Sequence, residues 1–213
     1  NNVDILISCR WVFFYFILYL NKVINNIMHS NFFKIFIFID CFNLNDLSSL
    51  NKNINLIYRN YNHKIDVNTL LKIKEFCKKT NRKLYLSNNL KMALQLNLDG
   101  VYIPSFNKRV NFVHSTLKKK FAIIGSAHNI TEINTKLAQG CSLIFLSPIF
   151  KSNKNRQCLD IIKYNFLTLN YNKNFIALGG INNKNIKRVR LTKSYGIAGI
   201  TEIKKIKKNG PKN

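Results

Sequence analysis

The sequence predicts a compact α/β fold of the (β/α)8 type, with eight parallel strands closed into a barrel inside a ring of helices. Three observations predict it. Short β-branched and aromatic runs recur eight times from Met28 onward. Polar segments with helical periodicity lie between them. The runs are apolar throughout, as strands buried on both faces are. Alternating strand and helix units favour a parallel sheet, and eight of them favour closure, although this barrel is short beside the usual ~250 residues. An open doubly wound sheet is the alternative. No G-x-G-x-x-G follows the first run, which weakens that option.

The elements follow in order. FKIFIFID (33–40) and NINLIYRN (53–60) are the first two strand runs. VNTLLKIKEFCKKT (67–80) then sets Leu70, Ile73, Phe76 and Cys77 on one helix face, with Asp66 as N-cap. RKLYLSN (82–88) is the third strand, followed by a helix over NLKMALQLN (89–97). DGVYIPS (99–105) and KFAIIGS (120–126) are the fourth and fifth strands. NITEINTKLAQ (129–139) is a helix closed by Gly140. SLIFLSP (142–148) and NFIALGG (174–180) are the sixth and seventh strands. NKNIKRVRLTK (183–193) puts Ile186, Val189 and Leu191 near helical register before the last strand, YGIAGIT (195–201).

Residues 1–27 stand apart. WVFFYFILYL, Trp11 to Leu20, is an unbroken apolar run of ten, short of the about 20 residues a membrane span needs. No small-residue cleavage site follows it. The first methionine is Met28. The expectation is an extension outside the barrel, either upstream read-through or an anchor, with the barrel occupying residues 28–213. Apart from such an anchor no membrane role is expected.

The 213 residues include 34 Lys+Arg against 9 Asp+Glu, a net charge of +25, with 46% hydrophobic residues. The apolar content suffices for a core and excludes a disordered tail. The lysines are scattered, as in KIKEFCKK and STLKKK, and read as solvated helix faces. Zinc-finger, helix-turn-helix and RNA-binding motifs are absent, so a specific nucleic-acid surface stays a remote alternative. The 5 cysteines are far apart, with no C-x-x-C pair. That spacing fits reduced thiols in the cytoplasm. Oligomeric state has no signature in the sequence.

FIALGGINN places Gly179 and Gly180 at the end of the seventh run, ahead of a helix start. In a βα barrel the chemistry sits at the strand C-termini, and phosphate often binds after strands seven and eight. Glycine lets backbone N–H groups approach an anion, and a following helix N-terminus favours negative charge. The plain alternative is a tight turn needing positive φ. Thr201, ending the eighth run, adds a hydroxyl beside the same point.

These residues carry a resemblance. ALGGI followed by GIAGIT resembles the end of the thiamine phosphate synthase family, which includes thiazole tautomerase relatives. IIGSAHNITE is similar to the family's stretch after strand five, with its S-x-H-x-x-x-E. LSPIFKSNK resembles the stretch after strand six, NLDGVYIPS that at strand four and LIYRNY that at strand two. The resemblance spans about residues 33–203 and implies a TIM barrel in thiamine biosynthesis. Such an enzyme is a transferase that condenses hydroxymethylpyrimidine diphosphate with thiazole phosphate, releasing thiamine phosphate and pyrophosphate, with Mg²⁺ as cofactor.

Carried over by position, the resemblance implies that Arg59, Ser87, Ser126 and Lys154 face pyrophosphate. Gly179, Gly180, Ile200, Thr201, Ser152 and Lys154 would hold the thiazole phosphate. His128 would be the acid–base group of a tautomerase-like enzyme. The family's two Mg²⁺-binding aspartates fall on Asn88 and Asn107, which are neutral amides and weak ligands. Ile57 and Tyr61 replace the strand-two Gln and Lys, and Tyr102 and Pro104 replace the His and Gly of strand four. The thiazole-phosphate half is therefore better kept than the diphosphate half. A synthase, a tautomerase-like enzyme and a non-catalytic thiazole-phosphate binder all remain open.

Overall fold

Each apolar run forms a strand, and the strands pair in sequence order around a closed parallel barrel. The structure is a computed structural model that describes residues 33–50, 53–61, 65–110, 120–151 and 157–199. The strands are β1 (Lys34–Ile39), β2 (Ile54–Tyr58), β3 (Leu84–Ser87), β4 (Gly100–Ile103), β5 (Ala122–Ala127), β6 (Leu143–Leu146), β7 (Asn174–Leu178) and β8 (Gly196–Gly199). β1 pairs both with β2, Ile35 opposite Ile54, and with β8, Lys34 opposite Gly196. That double pairing excludes the open sheet. The extension expected over residues 1–27 lies outside the described residues. No helix among them is long and apolar enough to cross a membrane.

Successive strand residues point to opposite faces, and the chain fills both with apolar groups. Phe36, Phe38, Ile57, Tyr85, Ile124 and Phe145 pack in the barrel interior. Ile35, Ile37, Leu56 and Leu84 belong to the outer layer, with the helices. Both faces being buried explains why the runs read as continuous rather than alternating.

The helices are α1 (Leu44–Ser48), α2 (Val67–Lys79), α3 (Leu90–Gln95), α4 (Ile130–Ala138) and α5 (Asp160–Thr168). In α2 the Asp66 carboxylate accepts from the Asn68 N–H at 2.9 Å and from Thr69 Oγ1 at 2.6 Å. Leu70, Ile73, Phe76 and Cys77 are the buried face, as the period requires. Burying side chains of this size stabilises by about 1.5–3 kcal/mol each. Asn89 caps α3 and Asn129 caps α4.

Three elements differ from expectation. Between Gly180 and β8 there is no α-helix. Residues Ile186–Leu191 form a 3-10 turn, because asparagine side chains satisfy the preceding backbone locally. Asn182 Oδ1 accepts from the Lys184 N–H at 2.9 Å, and Asn185 Oδ1 from the Asn182 N–H at 2.8 Å. With three residues per turn, Ile186 and Val189 eclipse and are buried, while Leu191 is turned out and 66% exposed. α1 and α5 have no counterpart in the sequence reading; α1 is a five-residue helix capped by Asn43, and α5 begins without a side-chain cap at Leu159.

Cys77 and Cys141 are buried and Cys41 is exposed. Burial pushes both inner thiols up from 9.0 to about 12. Maleimide near neutral pH will therefore label Cys41 quickly, and Cys77 and Cys141 only on unfolding. Peptide mass mapping checks this. Between 9 and 12 the unfolded chain loses thiol protons that the folded chain keeps. The stability these thiols contribute below pH 9 is therefore lost as the pH rises through that window.

Candidate functional site

The inward parity of the strands continues past their C-terminal ends. Ile57, Tyr85 and Ile124 face the interior, so Arg59, Ser87 and Ser126, two residues further, face the barrel mouth. Below them the interior is closed by aromatic rings in edge contact. Phe38 and Tyr102 have centroids 5.1 Å apart, Tyr102 and Phe145 5.5 Å, and Phe36 and Phe145 5.0 Å. The sequence therefore makes an apolar floor under a polar rim.

Arg59 is anchored by its N–H, which donates to Ile39 O at 2.7 Å. Its guanidinium lies 4.8 Å from the Phe38 ring centroid and 5.7 Å from that of Tyr61. Ring faces attract a cation at such distances without using up its hydrogen-bond donors. The Tyr61 hydroxyl and Ser87 Oγ are 2.7 Å apart, and Phe106 meets the Tyr61 ring edge-on at 5.8 Å. Burial raises the Tyr61 hydroxyl's pKa, against the Ser87 hydrogen bond and Arg59. Ser126 hydrogen-bonds the Tyr102 hydroxyl, whose pKa burial also raises. Both tyrosines are neutral donors at physiological pH.

Asn88 and Asn107 are brought together from the ends of β3 and β4. Asn107 Nδ2 donates to Asn88 Oδ1 at 2.7 Å. Asn107 Oδ1 accepts from the Arg109 N–H at 3.0 Å. The loop carrying Asn107 is held from beneath by a buried lysine on α4. Lys136 Nζ donates to Pro104 O and Asn107 O, each at 2.9 Å, and to Gln139 Oε1 at 2.8 Å. Gln139 Nε2 donates to Asn107 O and Arg109 O, both at 2.8 Å. Burial pulls the Lys136 ammonium down from 10.5 to about 8.

His128 follows β5 and reaches toward β6. Its Nδ1 lies 2.7 Å from Ser147 O. A carbonyl only accepts, so Nδ1 carries the proton and Nε2 is the basic nitrogen of the neutral ring. The His128 N–H donates to Glu132 Oε2 at 2.7 Å, and Asn129 Oδ1 accepts from the Glu132 N–H at 2.9 Å. This reciprocal cap fixes the start of α4. His128 and Glu132 line a cleft of about 410 Å³ with Ser105, Phe106, Lys108 and Pro148.

At the far side, Leu178 of β7 pairs with Ala198 of β8, so the glycine pair sits next to the end of β8. Gly179 has φ 91° and Gly180 φ 70°, so the turn does need glycine. There is also no room for a Cβ. One built on Gly180 would lie 2.2 Å from Phe150 O and 2.7 Å from Lys151 O. The Phe150 N–H donates to Gly179 O at 3.2 Å, and Asn185 Nδ2 donates to Gly180 O at 2.7 Å. The carbonyls are thus engaged, whereas the Gly180 N–H donates to no group among the described residues.

The structure therefore brings Arg59, Ser87, Ser126, Gly179 and Gly180 to one end of the barrel, with His128 on the same rim. Ser152, Lys154, Ile200 and Thr201 lie outside the described residues. The sequence reading did not find the Tyr61–Ser87 contact, Ser147 as partner of His128, or the Lys136–Gln139 clasp. One signal was available: Lys136 falls three residues after Ile133 on the buried face of α4.

The family model described as "Thiamine monophosphate synthase" matches residues 55–203. A thiamine-phosphate synthase of Prochlorococcus marinus subsp. pastoris is 31% identical over 145 residues, 67% of this chain but only 40% of that relative's length. One from Flavobacterium johnsoniae is 27% identical over 153 residues, 68% of this chain and 72% of the relative. A solved structure of a Pyrococcus furiosus thiamine phosphate pyrophosphorylase superposes with a TM-score of 0.64 at 15% identity. It covers 80% of this chain and 87% of that one, and is a likeness of fold.

Proposed function

The chain belongs to the thiamine monophosphate synthase family, and from that premise we propose that its barrel joins hydroxymethylpyrimidine diphosphate to thiazole phosphate, giving thiamine phosphate and pyrophosphate. The observation that carries this reading is the placement of two groups suited to anions on one rim. Arg59 over its aromatic rings is on the β2 side, and the Gly180 N–H is on the β7 side. The working barrel comprises residues 28–213, with 1–27 outside it, and the reaction belongs to the cytoplasm.

In the reaction the bond between the pyrimidine methylene carbon and the diphosphate oxygen breaks, and its electrons leave with the oxygen. The thiazole nitrogen lone pair forms the new C–N bond, with no net proton transfer. Arg59, Ser87 and Ser126 would stabilise the departing negative charge by donors already in place. The Gly180 N–H and, outside the described residues, Ser152, Lys154, Ile200 and Thr201 would hold the thiazole phosphate and aim the nitrogen. The aromatic floor keeps water from the cationic carbon. Mg²⁺, which the resemblance implies, is not suited by Asn88 and Asn107. They are neutral and bonded to each other, so no step is routed through the metal.

A second reading, tautomerase chemistry on the thiazole phosphate, is favoured by the basic Nε2 of His128. Purified protein given both precursors should release one pyrophosphate per thiamine phosphate, and His128→Gln should keep most of that rate. Absence of pyrophosphate, with thiazole proton exchange lost in His128→Gln, would instead support the second reading. Thermal stabilisation by thiazole phosphate with neither reaction would leave a binder.

A further inference from the structure

We propose that the diphosphate end of this mouth works without a bound divalent cation, a direct Asn88–Asn107 side-chain hydrogen bond linking the segments after β3 and β4 where carboxylates would need a metal between them. The inference rests on the functional reading above, since it concerns the same anion site.

Two ends of adjacent strands that both carry carboxylates repel one another, and a divalent cation joins them. Here the two side chains join themselves. Asn88 stands at φ 58°, a left-handed conformation that Asn tolerates, and its N–H donates to Tyr102 O at 2.8 Å. Its side-chain oxygen is thereby aimed at the β4 loop, where Asn107 Nδ2 donates to it at 2.7 Å. The other amide oxygen, Asn107 Oδ1, accepts from the Arg109 N–H at 3.0 Å. Each oxygen is neutral and already accepts an N–H. A cation beside them would also meet the positively polarised NH₂ group of Asn107.

The backbone that carries Asn107 is held from beneath. Asn107 O accepts from Lys136 Nζ at 2.9 Å and from Gln139 Nε2 at 2.8 Å. The Lys136 ammonium therefore sits beneath the loop as a fixed positive charge, and it too opposes a second cation. Magnesium demands hard anionic oxygens, usually one or two carboxylates with phosphate and water. No cluster of three or more His, Cys, Asp or Glu able to hold a metal occurs among the described residues. Arg59 is a cationic group facing the mouth at this end, and a guanidinium matches phosphate oxygens in two-pronged fashion.

The test uses the full chain freed of metal with EDTA, and inorganic pyrophosphate as the probe. Pyrophosphate should raise the melting temperature in EDTA, and millimolar Mg²⁺ should change its affinity less than twofold. Mn²⁺ alone, followed by its paramagnetic resonance signal, should not bind the unaltered chain below millimolar concentration. Asn88→Asp/Asn107→Asp should bind Mn²⁺ at least tenfold more tightly. If that double variant does not fold, the single Asn107→Asp change serves in its place. Pyrophosphate binding that requires Mg²⁺, or submillimolar Mn²⁺ binding by the unaltered chain, overturns the inference and leaves the synthase reading standing. Absence of pyrophosphate binding under both conditions overturns the two together.

Discussion

Gly180→Ala is expected to destabilise the protein by roughly 2–5 kcal/mol and to remove binding of thiazole phosphate. Two costs combine. Left-handed backbone, φ 70° here, costs a residue with a Cβ about 1–2 kcal/mol. Overpacking costs a further ~1–3 kcal/mol, and here the obstacle is backbone. The new methyl carbon would lie 2.2 Å from Phe150 O and 2.5 Å from Phe150 C. No rotamer change relieves that contact, so the stretch after β6 must move. Displacing it would disturb the Phe150-to-Gly179 hydrogen bond and turn the Gly180 N–H. Denaturant titration measures the first effect and calorimetry with thiazole phosphate the second. Unchanged stability would mean that the glycine turn does not pack as described.

Arg59→Met is expected to leave the fold intact and weaken pyrophosphate binding about 10- to 150-fold, the range for one charged hydrogen-bonding group worth ~1.5–3 kcal/mol. Methionine keeps an unbranched apolar stem beside the Phe38 and Tyr61 rings and removes the guanidinium with its charge. Stability should fall by no more than the ~0.5–2 kcal/mol of the cation–ring attraction. Turnover should fall further than affinity, by about 10²- to 10³-fold, because the leaving group's charge grows in the transition state. Arg59→Lys should recover part of the affinity and less of the rate, since an ammonium cannot reproduce the planar fork. Equal pyrophosphate affinity in Arg59→Met and the unaltered chain would remove Arg59 from the site.

How much of this was legible follows from what each residue's neighbours are. The strands could be read because a barrel strand is apolar on both faces, and α2 because Leu70, Ile73, Phe76 and Cys77 keep one helical stripe. The segment after β7 misled because Ile186, Val189 and Leu191 fit helical spacing loosely, while Asn182 and Asn185 tie the preceding backbone into a turn. α5 starts with no capping side chain, so no start signal existed. In the site, the Gly179–Gly180 pair and Arg59 were legible because each directly follows an apolar run. The Asn88–Asn107 bond joins residues 19 apart on neighbouring strand ends and depends on register. Lys136 passed for one of many solvated lysines. Its burial follows from helix phase, and its three carbonyl acceptors come from Pro104, Asn107 and Gln139.

The most direct measurement is a crystal structure of the chain soaked with thiazole phosphate. The account predicts phosphoryl oxygen within hydrogen-bonding distance of the Gly180 N–H, between the ends of β7 and β8, with the thiazole ring pointing across the mouth toward Arg59. Phosphate seated away from that strand pair, or no bound ligand at concentrations far above those of other phosphorylated small molecules that do bind, would contradict it.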